Sequence, residues 1–122
     1  MGIMISSREK ERAERIIWNG IEHYFQKRDL PLREEDRKEI ILLDQYRAGG
    51  YGRYHQPILD EIRTQFCLNG IGLDPTYTGK AFWGMEEYLR EGDITGSNIL
   101  FIHTGGTPLF YDCLGYEDMR LC

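Results

Sequence analysis

The apolar positions of this chain fall into short blocks of alternating character. "GIMI", Gly2 to Ile5, is a brief apolar run that reads as a buried strand. Ser6 and Glu9 then stand at capping-box spacing, and Ala13, Ile16, Ile17, Ile21, Tyr24 and Phe25 recur at i, i+3, i+4 intervals. That spacing predicts a helix with one buried face, ending near Arg28 because Pro31 lies just beyond. After the polar connection "LPLREEDRKE", the continuous run "IILLD", Ile40 to Asp44, reads as a strand buried on both faces. "RAGGYGRYHQ" is a glycine-rich loop. Pro57 suits the first turn of a second helix, which carries Ile58, Leu59, Ile62 and Phe66 on one face and has Gly70 as its terminator. Ile71 to Leu73 reads as a third strand, about Gly79 to Glu91 as a third helix, and "ILFIH" as a fourth strand. "TGGTP" then makes a tight turn into a last helix through Tyr111.

The order β-α-β-α-β-α-β-α with short connections predicts an α/β fold with a parallel sheet and flanking helices. Doubly buried strands need covering layers on both faces and neighbours on both edges. A chain of 122 residues with so few helices supplies too little of either, so the sheet reads as half of a larger one.

Composition removes several function classes. With 41% hydrophobic and 29% charged residues the chain is an ordinary globular polypeptide, about one domain in size. A net charge of −5 argues against nucleic acid, whose recognition needs a basic face. No apolar run reaches the length of a membrane span, and the first residues lack a signal peptide's apolar segment. Cys67, Cys113 and Cys122 show no framework spacing, which fits a reducing, cytoplasmic setting. His23, His55 and His103 share no ligand spacing with them, so no metal site is expected.

Three loops that leave strand ends combine glycine with hydroxyl groups: "GGYG", "DPTYTG" and "HTGG". On parallel strands they share one rim, where ligands of α/β proteins collect. Glycines at such turns also serve tight β-α connections with no ligand at all. Lys80, just past Gly79 at a helix start, raises the question of a phosphate clamp or a reactive amine. A P-loop is absent, because Gly72 lies too far upstream and Ala81 replaces the magnesium-binding hydroxyl. No dinucleotide fingerprint and no G-x-S-x-G elbow occur either. Asp44 and Asp74 each close a strand and either orient a ligand or cap the next helix. Tyr51 and Tyr77 stand in rim loops, where a phenol serves as general acid, or as nucleophile if a neighbour lowers its pKa. Amphipathic packing is the alternative reading in a chain of eight tyrosines.

"GGYG", "LDPTYTGKAF" and "ILFIHTGGTPLF", in that order, resemble the D-cysteine desulfhydrase and 1-aminocyclopropane-1-carboxylate deaminase family. These are pyridoxal-phosphate enzymes of the tryptophan-synthase-β-like fold. The resemblance covers about residues 2–111 and leaves 112–122 as an unmatched tail, so the chain is expected to be a single partial α/β domain, the C-terminal part of the large domain. It implies that Tyr51 and Tyr77 flank the substrate, a small amino acid. It implies that Thr104 hydrogen-bonds the cofactor's pyridine nitrogen, with Gly105 and Gly106 letting the backbone approach the ring. Thr78 stands where the deaminase carries a glutamate facing that nitrogen. A neutral hydroxyl there weakens the electron sink, which favours elimination of sulfide over cyclopropane opening. The family's Schiff-base lysine and phosphate loop lie ahead of the matched region, so Lys80 is expected to be tied to nearby backbone or carboxylate, neither clamp nor catalyst. The implied chain is inactive alone, needs an N-terminal half, and self-associates as a homo-oligomer. The alternatives are a non-catalytic half-domain that assembles with a separate half, and an inactive remnant.

Overall fold

β1 (Gly2–Ile3) and β2 (Leu42–Leu43) pair in parallel, Gly2 against Leu42 and Ile3 against Leu43. They are the strands of the computed structural model, which describes residues 1–113. Both leucines are buried, as expected of a doubly covered strand, but Ile41 is exposed and the pairing stops at two residues. Four helices complete the described chain: α1 (Lys10–Lys27), α2 (Gln56–Asn69), α3 (Thr78–Glu91) and α4 (Thr107–Cys113). The result is helix-rich with a small parallel sheet, compatible with the α/β class. None of these helices is long and apolar enough to cross a membrane. The tail expected at 112–122 lies outside the described residues from 114 onward.

The helices whose ends are written locally form where the sequence places them. Pro57 sits in the first turn of α2, and Gly70 closes it in the left-handed conformation at φ 68°. Ile58, Leu59 and Ile62 of α2 pack with Leu73, Phe110 and Cys113 into the core, and the Phe66 and Phe110 rings lie 5.0 Å apart. α3 crosses β1 closely: a Cβ on Gly84 would come within 3.2 Å of Ile3 Cγ2. Tyr46 fastens the far end of α3 by donating its hydroxyl to Glu91 Oε2 at 2.6 Å.

Several expectations need correction. Ile71–Leu73 and Ile99–Ile102 are not strands, and Leu100 and Ile102 stand 85% and 71% exposed. A strand exists by its ladder, and neither segment has a neighbour to pair with among the described residues. α1 buries none of its residues fully: of its apolar stripe Ile16, Ile17 and Tyr24 are exposed and Ala13, Ile21 and Phe25 only half-buried. Its capping box does not form, for Glu9 occupies the N-cap without a side-chain hydrogen bond. The polar connection after α1 contains a 3-10 turn, Glu34–Glu39, fixed locally where Asp36 accepts the Arg33 amide at 2.9 Å. Cys67 is disulfide-bonded, which departs from cysteines without a framework. Cys113 is a buried free thiol, and burial pushes it up to about 11.

Candidate functional site

"LDPTYTG" reads D-P-x-Y-T because its aspartate caps the helix that starts at Thr78. Asp74 is buried, and its carboxylate accepts the amides of Thr76 at 2.9 Å, Tyr77 at 2.8 Å and Thr78 at 2.8 Å. The Thr78 hydroxyl donates to the same carboxylate at 2.7 Å and accepts the Asp74 amide at 3.0 Å. A carboxylate gathering several N–H donors is a strong, directional anchor. It sets the entry of α3 and the direction in which Tyr77 leaves the backbone. Of the carboxylates that close predicted strands, Asp74 therefore caps the following helix, whereas Asp44 pairs with Arg47 at 2.8 Å.

The loops meet as a shared rim would require. The Tyr51 and Tyr77 hydroxyls stand 2.7 Å apart with their rings edge to face at 5.8 Å. The two are 63% and 37% exposed, so the phenol pair looks outward while its backbone is held from within. Its bond to Tyr51, then burial and the neighbouring charges of Tyr51 and Asp74, hold the Tyr77 phenol above its ordinary range. A raised pKa keeps the phenol un-ionised, which argues against a phenolate nucleophile and leaves its proton in place.

The third loop joins the same anchor. Gly106, at φ 91°, lies so close to Asp74 that a Cβ would fall 2.2 Å from Oδ1. His103 accepts the Gly105 amide on Nδ1 at 3.2 Å, which leaves its Nε2 to donate to the Gly72 carbonyl at 3.1 Å. Thr104 is exposed, and its hydroxyl has no hydrogen-bond partner among the described residues. Gly105, at φ 121°, has open space where a Cβ would stand.

The structure thus brings Tyr51 to Tyr77, sets Thr78 and Gly106 on Asp74, and leaves Thr104 and Gly105 facing outward. Thr78 is buried beneath the rim, with its hydroxyl spent on Asp74. Lys80 is tied as expected of a backbone-bound lysine: its ammonium donates to the Gly50 carbonyl at 2.6 Å, and burial lowers its pKa. His103 has no role assigned from the sequence, although its place directly before Thr-Gly-Gly marks it as a residue that could brace that turn. Among the described residues no His, Cys, Asp or Glu cluster is arranged to hold a metal ion.

No family model matches the chain. Its curated relatives are consistent. It is 32% identical over 108 residues, 88% of its own length and 31% of the relative's, to a protein of Pyrococcus abyssi provisionally named 1-aminocyclopropane-1-carboxylate deaminase. It is 43% identical over 77 residues, 63% of its length, to a Pyrococcus horikoshii protein of the same provisional name, covering 22% of that protein. It is 40% identical over 76 residues, 62% of its length, to a Klebsiella pneumoniae protein named D-cysteine desulfhydrase, covering 23% of it. The chain therefore spans between a fifth and a third of the length of these relatives.

Proposed function

We propose, from this chain's kinship with proteins named 1-aminocyclopropane-1-carboxylate deaminase and D-cysteine desulfhydrase, that it forms the C-terminal rim of a pyridoxal-phosphate-dependent lyase. In this reading residues 2–111 are one partial domain of the tryptophan-synthase-β-like fold, with 112–122 an added tail, and a separate N-terminal portion completes the site. The carrying observation is the meeting of the rim loops, in which the Tyr51 and Tyr77 hydroxyls come within 2.7 Å on an outward face.

The residues present fit one side of the cofactor. Open space at Gly105, beside the unspent hydroxyl of Thr104, leaves room for a flat ring and offers it a neutral hydrogen-bond partner. The lysine of this rim does not fit the amine role, since Lys80 is buried and committed to Gly50. Pyridoxal phosphate supplies a sink for negative charge developed at the substrate's α-carbon. Thr104 would hold the pyridine nitrogen without charging it, which suits release of a good leaving group such as sulfide from a small amino acid. Gly106 keeps the turn tight against Asp74, and Thr78 serves from below by holding the carboxylate that fixes Tyr77. Tyr77, kept protonated, would hand its proton to the departing group, while Tyr51 would orient that phenol and pass it a replacement proton drawn from the water it faces.

The test is co-expression with the N-terminal two-thirds of the Klebsiella relative, followed by cofactor absorbance and sulfide release from D-cysteine. The assembled protein should retain the cofactor, and Tyr77→Phe should lower kcat about 100-fold with the cofactor spectrum unchanged. Retained cofactor with undiminished turnover in Tyr77→Phe would remove the acid role. Failure to retain cofactor would favour the second reading, a non-catalytic assembly module or inactive remnant, for which the exposed Leu100 and Ile102 speak.

A further inference from the structure

The loop that carries Tyr51 has no regular structure to hold it. Ala48, Gly49, Gly50 and Gly52 all sit at positive φ, between 47° and 104°. Its own hydrogen bonds are short-range, Gly50 N–H to Arg47 O at 3.0 Å and Arg53 N–H to Gly50 O at 3.1 Å. The long-range tie comes from α3, where Lys80 reaches back 30 residues to the Gly50 carbonyl at 2.6 Å. The Gly50 oxygen thus receives two donors, and it directly precedes the residue whose hydroxyl meets Tyr77.

Lys80 is 0% exposed, with no salt bridge among the described residues. Burying an ammonium against a carbonyl is costly, and an apolar chain of the same length would fill the space at less expense of stability. What the ammonium supplies that an apolar chain cannot is a charge-assisted bond to one chosen carbonyl. We propose that Lys80 is a positioning residue: through the Gly50 carbonyl it sets the Tyr51 hydroxyl against that of Tyr77. The catalytic meaning of this placement rests on the proposed function; the placement itself does not.

The test is a titration of the tyrosines in the purified chain, with ring-labelled tyrosine read by NMR, and needs neither cofactor nor substrate. The unmodified chain should show Tyr77 ionising above the ordinary phenol range. Tyr51→Phe removes the partner and should bring Tyr77 down toward the ordinary phenol range. Lys80→Met should do the same although it touches neither ring, and Lys80→Arg, which keeps a donor, should restore the high value. Adding Lys80→Met to Tyr51→Phe should change Tyr77 no further. An unshifted Tyr77 in Lys80→Met, or a further shift in the double variant, would overturn the proposal. If Lys80→Met loses its helical circular-dichroism signal, Lys80→Gln is read instead, being too short to reach Gly50, with the same outcomes deciding. Failure here would leave the co-expression result untouched, and failure there would leave this one untouched.

Discussion

At the scale of single residues, Asp74 is the position on which most depends. It is buried, it anchors three amides and a hydroxyl, and Gly106 is pressed against it. Gly106→Ala should therefore be doubly unfavourable, combining a backbone that L-residues avoid with a Cβ placed 2.2 Å from a fixed oxygen. We expect a loss of about 3 kcal/mol or more in urea unfolding. Gly105→Ala, strained in backbone but opening on free space, should lose only about 1–2 kcal/mol. Equal losses would mean that contact with Asp74 does not matter. Asp74 was readable as a cap because the amides it accepts lie within four residues of it. The tie from Lys80 was readable only as a kind of bond, since the choice of Gly50 depends on how a distant loop folds back.

At the scale of elements, what is encoded nearby was legible and what requires a partner was not. α2 begins at Pro57 and stops at Gly70 for reasons contained in a few residues, and α3 and α4 start where their turns dictate. "ILFIH" has the composition of a strand, but composition cannot furnish the neighbour whose amides and carbonyls make it one. α1 shows the same separation, its helical periodicity leaving Ile16, Ile17 and Tyr24 exposed. The pairing of α2 with α3 places Glu86 beside Glu61, a contact no local pattern announces. Although Glu86 is exposed as a residue, desolvation of its carboxyl raises it to about 7, helped by a hydrogen bond with Glu61 and the charges of Glu61 and Glu87. Because its pKa lies above that of the unfolded chain, folding takes up a proton. The resulting stability is full below about pH 4.5 and is lost as pH rises through about 7. Glu86→Gln imitates the protonated form, so at pH ~8 it should melt roughly 2–4 °C above the parent chain and near it at pH ~4.5. Parallel melting curves across that range would show that the two carboxyls do not interact.

At the scale of the whole molecule, the exposed side chains of Ile99, Leu100 and Ile102 lie close together in sequence in a chain spanning under a third of its first relative. Such a patch seeks cover. The purified chain should scatter light as oligomers or larger particles, and Leu100→Lys combined with Ile102→Lys should shift it toward the monomer. A parent chain that stays monomeric at high concentration would show that this surface is content in water. The rim presents the opposite condition. Its loops are fastened to one another by Lys80 on Gly50 and His103 on Gly72, with Asp74 holding Tyr77 from beneath and Gly106 packed against that carboxylate. A molecule docking on the Tyr51–Tyr77 pair would find those two hydroxyls already arranged. The entropy otherwise surrendered in ordering a loop or side chain at the moment of binding, about 0.5–1.5 kcal/mol for each mobile group, has been spent during folding.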